Sequence, residues 1–168
     1  DYNRVRMTRI FGTAHGAVEI IKGLKLKEVL SYDYSIQKDA RYFNALSGAG
    51  PKSGSDAQSS KGFIEYGKLI SSTSLNYVRT FANKHHLDVL AAYEAESFQT
   101  DKAAGEKSKM PSDQLFEPDN AAVINSFVSS TQDYRLLSYL TRLNYDYDNR
   151  YYIAGSFRRD GSSRLAPE

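Results

Sequence analysis

A chain of 168 residues, 40% hydrophobic and 25% charged, has the size and composition of one ordinary domain, and its formal net charge of +2 gives no pull toward nucleic acid. No apolar run approaches the roughly 18 to 20 residues of a spanning helix, and Asp1 to Ile10 lacks the apolar stretch of a secretory signal, so helical insertion is excluded. Spanning β-strands are not excluded, because each takes only about 9 to 11 residues of alternating character and leaves the mean hydropathy negative, as it is here at −0.55.

In chain order, the first expected strand runs from about Phe11 to Ile21, with Gly12 and Gly16 diluting its pattern. Lys22-Gly23 makes a tight turn. From Leu24 to Ile36 the even positions are Leu24, Leu26, Glu28, Leu30, Tyr32, Tyr34 and Ile36, while the odd ones are mostly Lys, Ser and Asp. That period of two predicts a strand with one apolar face. A long connection follows, residues 37 to 62, holding the Gly/Ser/Lys-rich run Ser47 to Gly62. Leu69 to Phe81 is a third strand, carrying Leu75, Tyr77 and Phe81 on one side. Asn83-Lys84-His85-His86 is a tight turn before a fourth strand, in which Leu87, Val89, Ala91, Tyr93 and Ala95 face away from Asp88 and Glu94. A second long connection, residues 99 to 132, includes Lys102 to Pro111 and a short helix opened by Ser112-Asp113. Tyr139 to Tyr147 and Tyr151 to Arg159 are the last two strands, joined by Asp148-Asn149-Arg150.

The fold class this predicts is all-β: six consecutive antiparallel up-and-down hairpin strands forming part of a large transmembrane β-barrel. Short and long connections alternate, which places them at opposite ends of the sheet. Structureless loops of such length count against a compact soluble domain. They suit an outer-membrane barrel, with short periplasmic turns and long extracellular loops at 37–62 and 99–132. Within lipid every backbone polar group must be paired, so the wall is closed, apolar outward and polar toward the lumen. Tyrosines and phenylalanines, 13 and 8 in number, gather near the strand ends as interfacial girdles do. Asn76, Asp88, Glu94, Arg142, Asn144 and Asp146 are the lumen-facing candidates. Arg79 and Glu28 fall on the apolar side; Arg79 is near a turn, whereas Glu28 is deep. Alternation alone also suits a soluble sheet with one buried face, so a carbohydrate-binding module is the alternative reading.

No catalytic, cofactor or metal site is expected. Absent cysteine removes zinc patterns and thiol chemistry, and His15, His85 and His86 lack carboxylates at ligand spacing. Glu94, Glu96 and Asp33 resemble a glycosidase pair only in composition; their polar-face positions assign them to the lumen. Lys52, Lys61, Lys102, Lys107 and Lys109 read as scattered, solvated loop charges. Arg158 and Arg159 have no interleaved stacking aromatics for nucleic acid, and Asp160-Gly161 reads as the start of a turn.

Tyr139 to Arg164, YLTRLNYDYDNRYYIAGSFRRDGSSR, resembles the segment of SusC/RagA transporters in which a strand ending NYDY turns into one ending RRDGSSRF. The motif residues are Arg158, Arg159, Asp160, Gly161, Ser162 and Ser163, with Leu165 in place of the usual Phe. Val18 to Tyr34 and Leu75 to Glu96 are similar to the preceding barrel region, with Glu28 and Ala92 departing from the family pattern. The resemblance implies a barrel of about 22 strands closed by an N-terminal plug, of which residues 1–168 would supply a middle portion. It implies import of glycan or peptide fragments through the lipid bilayer of the outer membrane. A SusD-like surface lipoprotein would be the lid, and the TonB complex would act through parts outside this chain. The Asp1 start and Leu165-Ala166-Pro167-Glu168 end are read accordingly as cuts from a longer protein.

Overall fold

A computed structural model describes residues 1–46 and 57–165. Most of the Ser47 to Gly62 run, with Lys52, and the last three residues lie outside the described portion. Six strands form one sheet in the order β1-β2-β3-β4-β5-β6, an up-and-down meander: β1 (Tyr2–Ile21), β2 (Leu24–Phe43), β3 (Gln58–Phe81), β4 (His85–Ser108), β5 (Val123–Tyr147) and β6 (Tyr151–Ser162). β5 and β6 pair antiparallel without interruption from Tyr147↔Tyr151 to Leu136↔Ser162.

The strands run well past the alternating segments. Residues 37–43, 58–62, 99–108 and 123–132, read from sequence as loop, are strand. Polar residues occupy both faces there, so a paired strand leaves no period-two trace in the sequence. The connection after β4 is accordingly Lys109 to Ala122, and its only helical piece is a 3-10 turn at Pro118–Asn120, not a helix opened by Ser112-Asp113. A strand of 24 residues such as β3 reaches about 79 Å at 3.3 Å per residue, far beyond a tilted hydrocarbon span.

The tight turns have specific chemistry. Between Phe81 and Lys84 the central residues Ala82 and Asn83 have φ of 52° and 53°, and between Tyr147 and Arg150 Asp148 and Asn149 have φ of 55° and 53°. Lys84 N–H donates to Phe81 O at 3.3 Å and Arg150 N–H to Tyr147 O at 3.0 Å. Both are type I′ turns, whose twist matches that of the flanking strands. His85 and His86 therefore open β4 and are not turn residues. At Gly23, φ is +86° and a Cβ would lie 2.3 Å from the carbonyl oxygen of Val78, so glycine is required. Asp160 and Gly161 are also strand, and the turn falls later, at Ser163–Leu165.

The chain divides into two compact units. In the first (Asp1–Ile10, Tyr34–Gly67, Gln99–Gln132) lie the buried apolar residues Tyr42, Ala57 and Ala121. There the Lys109 to Ala122 connection folds onto the sheet: Phe116 meets Tyr2 edge-on at 5.6 Å between ring centroids, and Ser59 Oγ donates to Phe116 O at 2.6 Å. Tyr42 donates to Asp113 at 2.6 Å, and burial, with that carboxylate as partner, pushes the Tyr42 phenol up to about 12.

In the second unit (Phe11–Asp33, Lys68–Phe98, Asp133–Glu168) no apolar side chain of the described residues is buried. Leu30, Leu143, Ile153 and Phe157 are 46%, 43%, 64% and 63% exposed. A soluble sheet would cover such a face.

Candidate functional site

The side-chain contacts of the second unit sort its residues onto two faces. On one, Asn76 of β3 donates to Asp88 of β4 at 2.8 Å, and Asp88 faces Asn144 and Arg142 of β5, each at 3.5 Å. Asp146 accepts from the Asn149 N–H at 3.0 Å at the base of the same face. Four of the six lumen candidates thus form one network and a fifth caps the adjoining turn. Glu94 shares a recess of about 330 Å³ with Glu96, Ser138, Arg158 and Asp160. Glu96 pairs with Lys68 at 2.9 Å and accepts from the Tyr134 hydroxyl at 3.1 Å, so that carboxylate is held in an ion pair.

The other face is apolar and aromatic. Leu30, Leu69, Leu75, Tyr93, Tyr139 and Leu143 belong to it, with Tyr93 and Tyr139 5.3 Å apart between ring centroids. Near the tight turns it becomes a band of rings. Phe81 stacks on His85 at 4.8 Å, His85 Nδ1 meets the Tyr145 hydroxyl at 2.7 Å, and Tyr147 lies 5.0 Å from His85 and 6.5 Å from Tyr151. Arg79 donates to Tyr77 Oη at 3.1 Å within the same band. His86, by contrast, bonds Thr80 at 2.8 Å, so the two adjacent histidines serve opposite faces, as strand geometry requires.

Glu28 has partners that sequence reasoning missed. Its carboxylate accepts hydrogen bonds from Ser71 Oγ at 2.7 Å and from Thr73 Oγ1, both on β3. Ser71 and Thr73 alternate, as two residues sharing a face must, but nothing in the sequence reveals which residue of β2 they oppose. In the family motif, Arg158 pairs with Asp160 at 2.9 Å on the polar face, while Arg159 lies opposite Tyr139. Gly161 follows next to Leu137, Ser162 Oγ accepts from the Arg164 N–H, and Ser163 Oγ accepts from the Arg135 N–H at 2.9 Å. Arg164 then stacks over Tyr134 at 4.4 Å. No group of three or more His, Asp or Glu side chains able to hold a metal occurs among the described residues.

No family model matches the chain. The curated TonB-dependent receptor P39 of Formosa agariphila is 26% identical over 153 residues, 89% of this chain and 14% of that protein. Among solved structures, the RagAB peptide transporter matches with a TM-score of 0.84 at 20% identity, over 98% of this chain and 19% of that one. The RagAB peptide importer in its closed-closed and open-open states matches at 0.82, 20% identical, over 96% of this chain and 18% of that one. The six-stranded antiparallel meander superposes on part of these solved chains and shares their all-β fold. By sequence the chain is similar to a TonB-dependent receptor, and its motif at Arg158 to Ser163 resembles that of SusC/RagA transporters. It spans about one seventh of the length of that curated relative.

Proposed function

We propose that this stretch forms part of the wall of an outer-membrane importer that takes up glycan or peptide nutrients with energy delivered through TonB. The observation that carries the reading is the division of faces in the second unit. Large apolar side chains stand exposed on one side with an aromatic band at the tight turns, while ion pairs and amide hydrogen bonds cover the other. In a bilayer the first side meets hydrocarbon and the second meets water. The likeness to a TonB-dependent receptor and to a peptide transporter supports the transport class.

On this reading the protein resides in the outer membrane as a multi-pass barrel. Asn76, Asp88, Glu94, Arg142, Asn144 and Asp146 line the pathway or face the plug. The connections within 37–62 and 99–132 are extracellular and meet substrate or a SusD-like lipoprotein lid, and the chain's role is passive, not catalytic. Spin labels at Leu26, Leu30, Val89 and Leu143 in the full-length protein test it: accessibility to oxygen, not to a water-soluble relaxing agent, is expected. Packing of those sites in a dry protein interior would overturn it.

A further inference from the structure

Four cations of the second unit are paired with carboxylates: Lys68 with Glu96 at 2.9 Å, Arg142 with Asp88 at 3.5 Å, Arg150 with Asp148 at 3.6 Å and Arg158 with Asp160 at 2.9 Å. The first unit holds a different arrangement. Arg4 and Arg6 of β1, Lys38 of β2 and Lys61 of β3 line one recess of about 320 Å³. Lys61 pairs with Glu117. The carboxylate lining the recess, Asp39, accepts two hydrogen bonds from the Gln37 amide, at 3.1 and 3.2 Å. Arg4, Arg6 and Lys38 form no ion pair among the described residues.

Like charges brought together on neighbouring strands are destabilising. Three of them around one concavity are tolerated when a counter-anion neutralises them. Guanidinium groups grip carboxylate and phosphate through paired N–H donors. Phe63, 38% exposed, adds an apolar surface to the same recess, against which the face of a sugar ring can lie. We propose that Arg4, Arg6 and Lys38 form a binding site for an anionic saccharide, with the carboxylate or phosphate held by the cations and the ring set against Phe63. The site depends on these side chains and not on the importer reading. The saccharide is either a soluble acidic oligosaccharide or the headgroup of a glycolipid.

The test uses the full-length protein in detergent, wild type and the triple variant Arg4→Gln/Arg6→Gln/Lys38→Gln. Fluorescent oligogalacturonate, neutral maltoheptaose and nanodiscs with or without lipopolysaccharide are the probes. If the source is soluble, oligogalacturonate binds, weakens with added salt as screening requires, and loses at least about tenfold in the triple variant. If the source is the glycolipid, preference for lipopolysaccharide nanodiscs disappears in the variant. Maltoheptaose should bind neither protein. Equal behaviour of wild type and variant toward both anionic probes overturns the proposal. Should the triple variant fail to fold, Arg4→Gln and Lys38→Gln singly are each expected to weaken the anionic probe about threefold, and no change in either overturns it equally.

Discussion

The Tyr42 hydroxyl donates a 2.6 Å hydrogen bond to Asp113, 71 positions further along the chain, and so fastens the Lys109 to Ala122 connection to the far end of β2. The contact converts what composition suggests is a slack loop into a packed cover, with Phe116 seated against Tyr2 and Tyr42.

Tyr42→Phe should loosen this cover by about 1.5 kcal/mol, the low end for a hydrogen bond to a charged acceptor. Faster tryptic cleavage at Lys109, with the barrel still resisting heat on a gel, is the expected readout. Unchanged cleavage would show that ring packing alone holds the connection.

The same phenol gives a pH dependence. Its folded value, raised to about 12 by burial and then by Asp113, stands above the ordinary value of 10.0. The neutral form is the one favoured by folding, so its contribution is complete below pH 10 and is lost as pH rises through about 12. The urea midpoint should fall across that window in the wild type, and Tyr42→Phe should flatten the fall. Ultraviolet titration should find one fewer late-ionising tyrosine in the variant.

Gly23→Ala should destabilise the β2–β3 pairing. Its φ of +86° disfavours any side chain, and the new Cβ would sit 2.3 Å from the Val78 oxygen, across from the Val78 N–H bond to Gly23 O at 2.8 Å. A loss of about 2 kcal/mol or more is expected, read as a lowered urea midpoint. Gly155→Ala, where a Cβ meets nothing within 4 Å, is the control and should change little.

Ala82 occupies a φ of 52°, which costs alanine more than glycine. Ala82→Gly should raise stability by about 1 kcal/mol, whereas Asp148→Gly, replacing a residue that tolerates this region, should be close to neutral. Urea denaturation of both variants distinguishes them.

Glu28 gives an ordering test. Ser71→Ala/Thr73→Val strips the carboxylate of both donors on the apolar face, and it should lower stability more than Glu28→Gln does. Leaving an acceptor unsatisfied costs more than replacing it. The reverse order in urea midpoints would mean that Glu28 finds other partners.

Strand identity and the two faces were legible because Leu24 to Ile36 and Tyr139 to Tyr147 alternate where one side is apolar and the other polar. Residues 37–43 and 123–132 were not legible, since pairing to a distant strand holds them and neither face there is uniformly apolar. The network of Asn76, Asp88, Arg142 and Asn144 was legible as a list of polar-face residues, not as a cluster. Asn76 and Asp88 meet through the β3–β4 hairpin, whereas Arg142 and Asn144 reach Asp88 across β4 and β5, whose register depends on strands separated by the Lys109 to Ala122 connection. Convergence of Arg4, Arg6, Lys38 and Lys61 was invisible for the same reason: three strands supply it, and Lys61 alone looks like an isolated loop charge.

The unbroken register from Tyr147↔Tyr151 to Leu136↔Ser162 constrains how such a wall can evolve. Side chains alternate strictly, so inserting one residue midway along β5 would turn the rest of that strand inside out, presenting Arg142 where Leu143 had been and Asp146 where Tyr147 had been. Length variation is therefore channelled to the Lys109 to Ala122 connection, whose residues can change in number without reversing any neighbour.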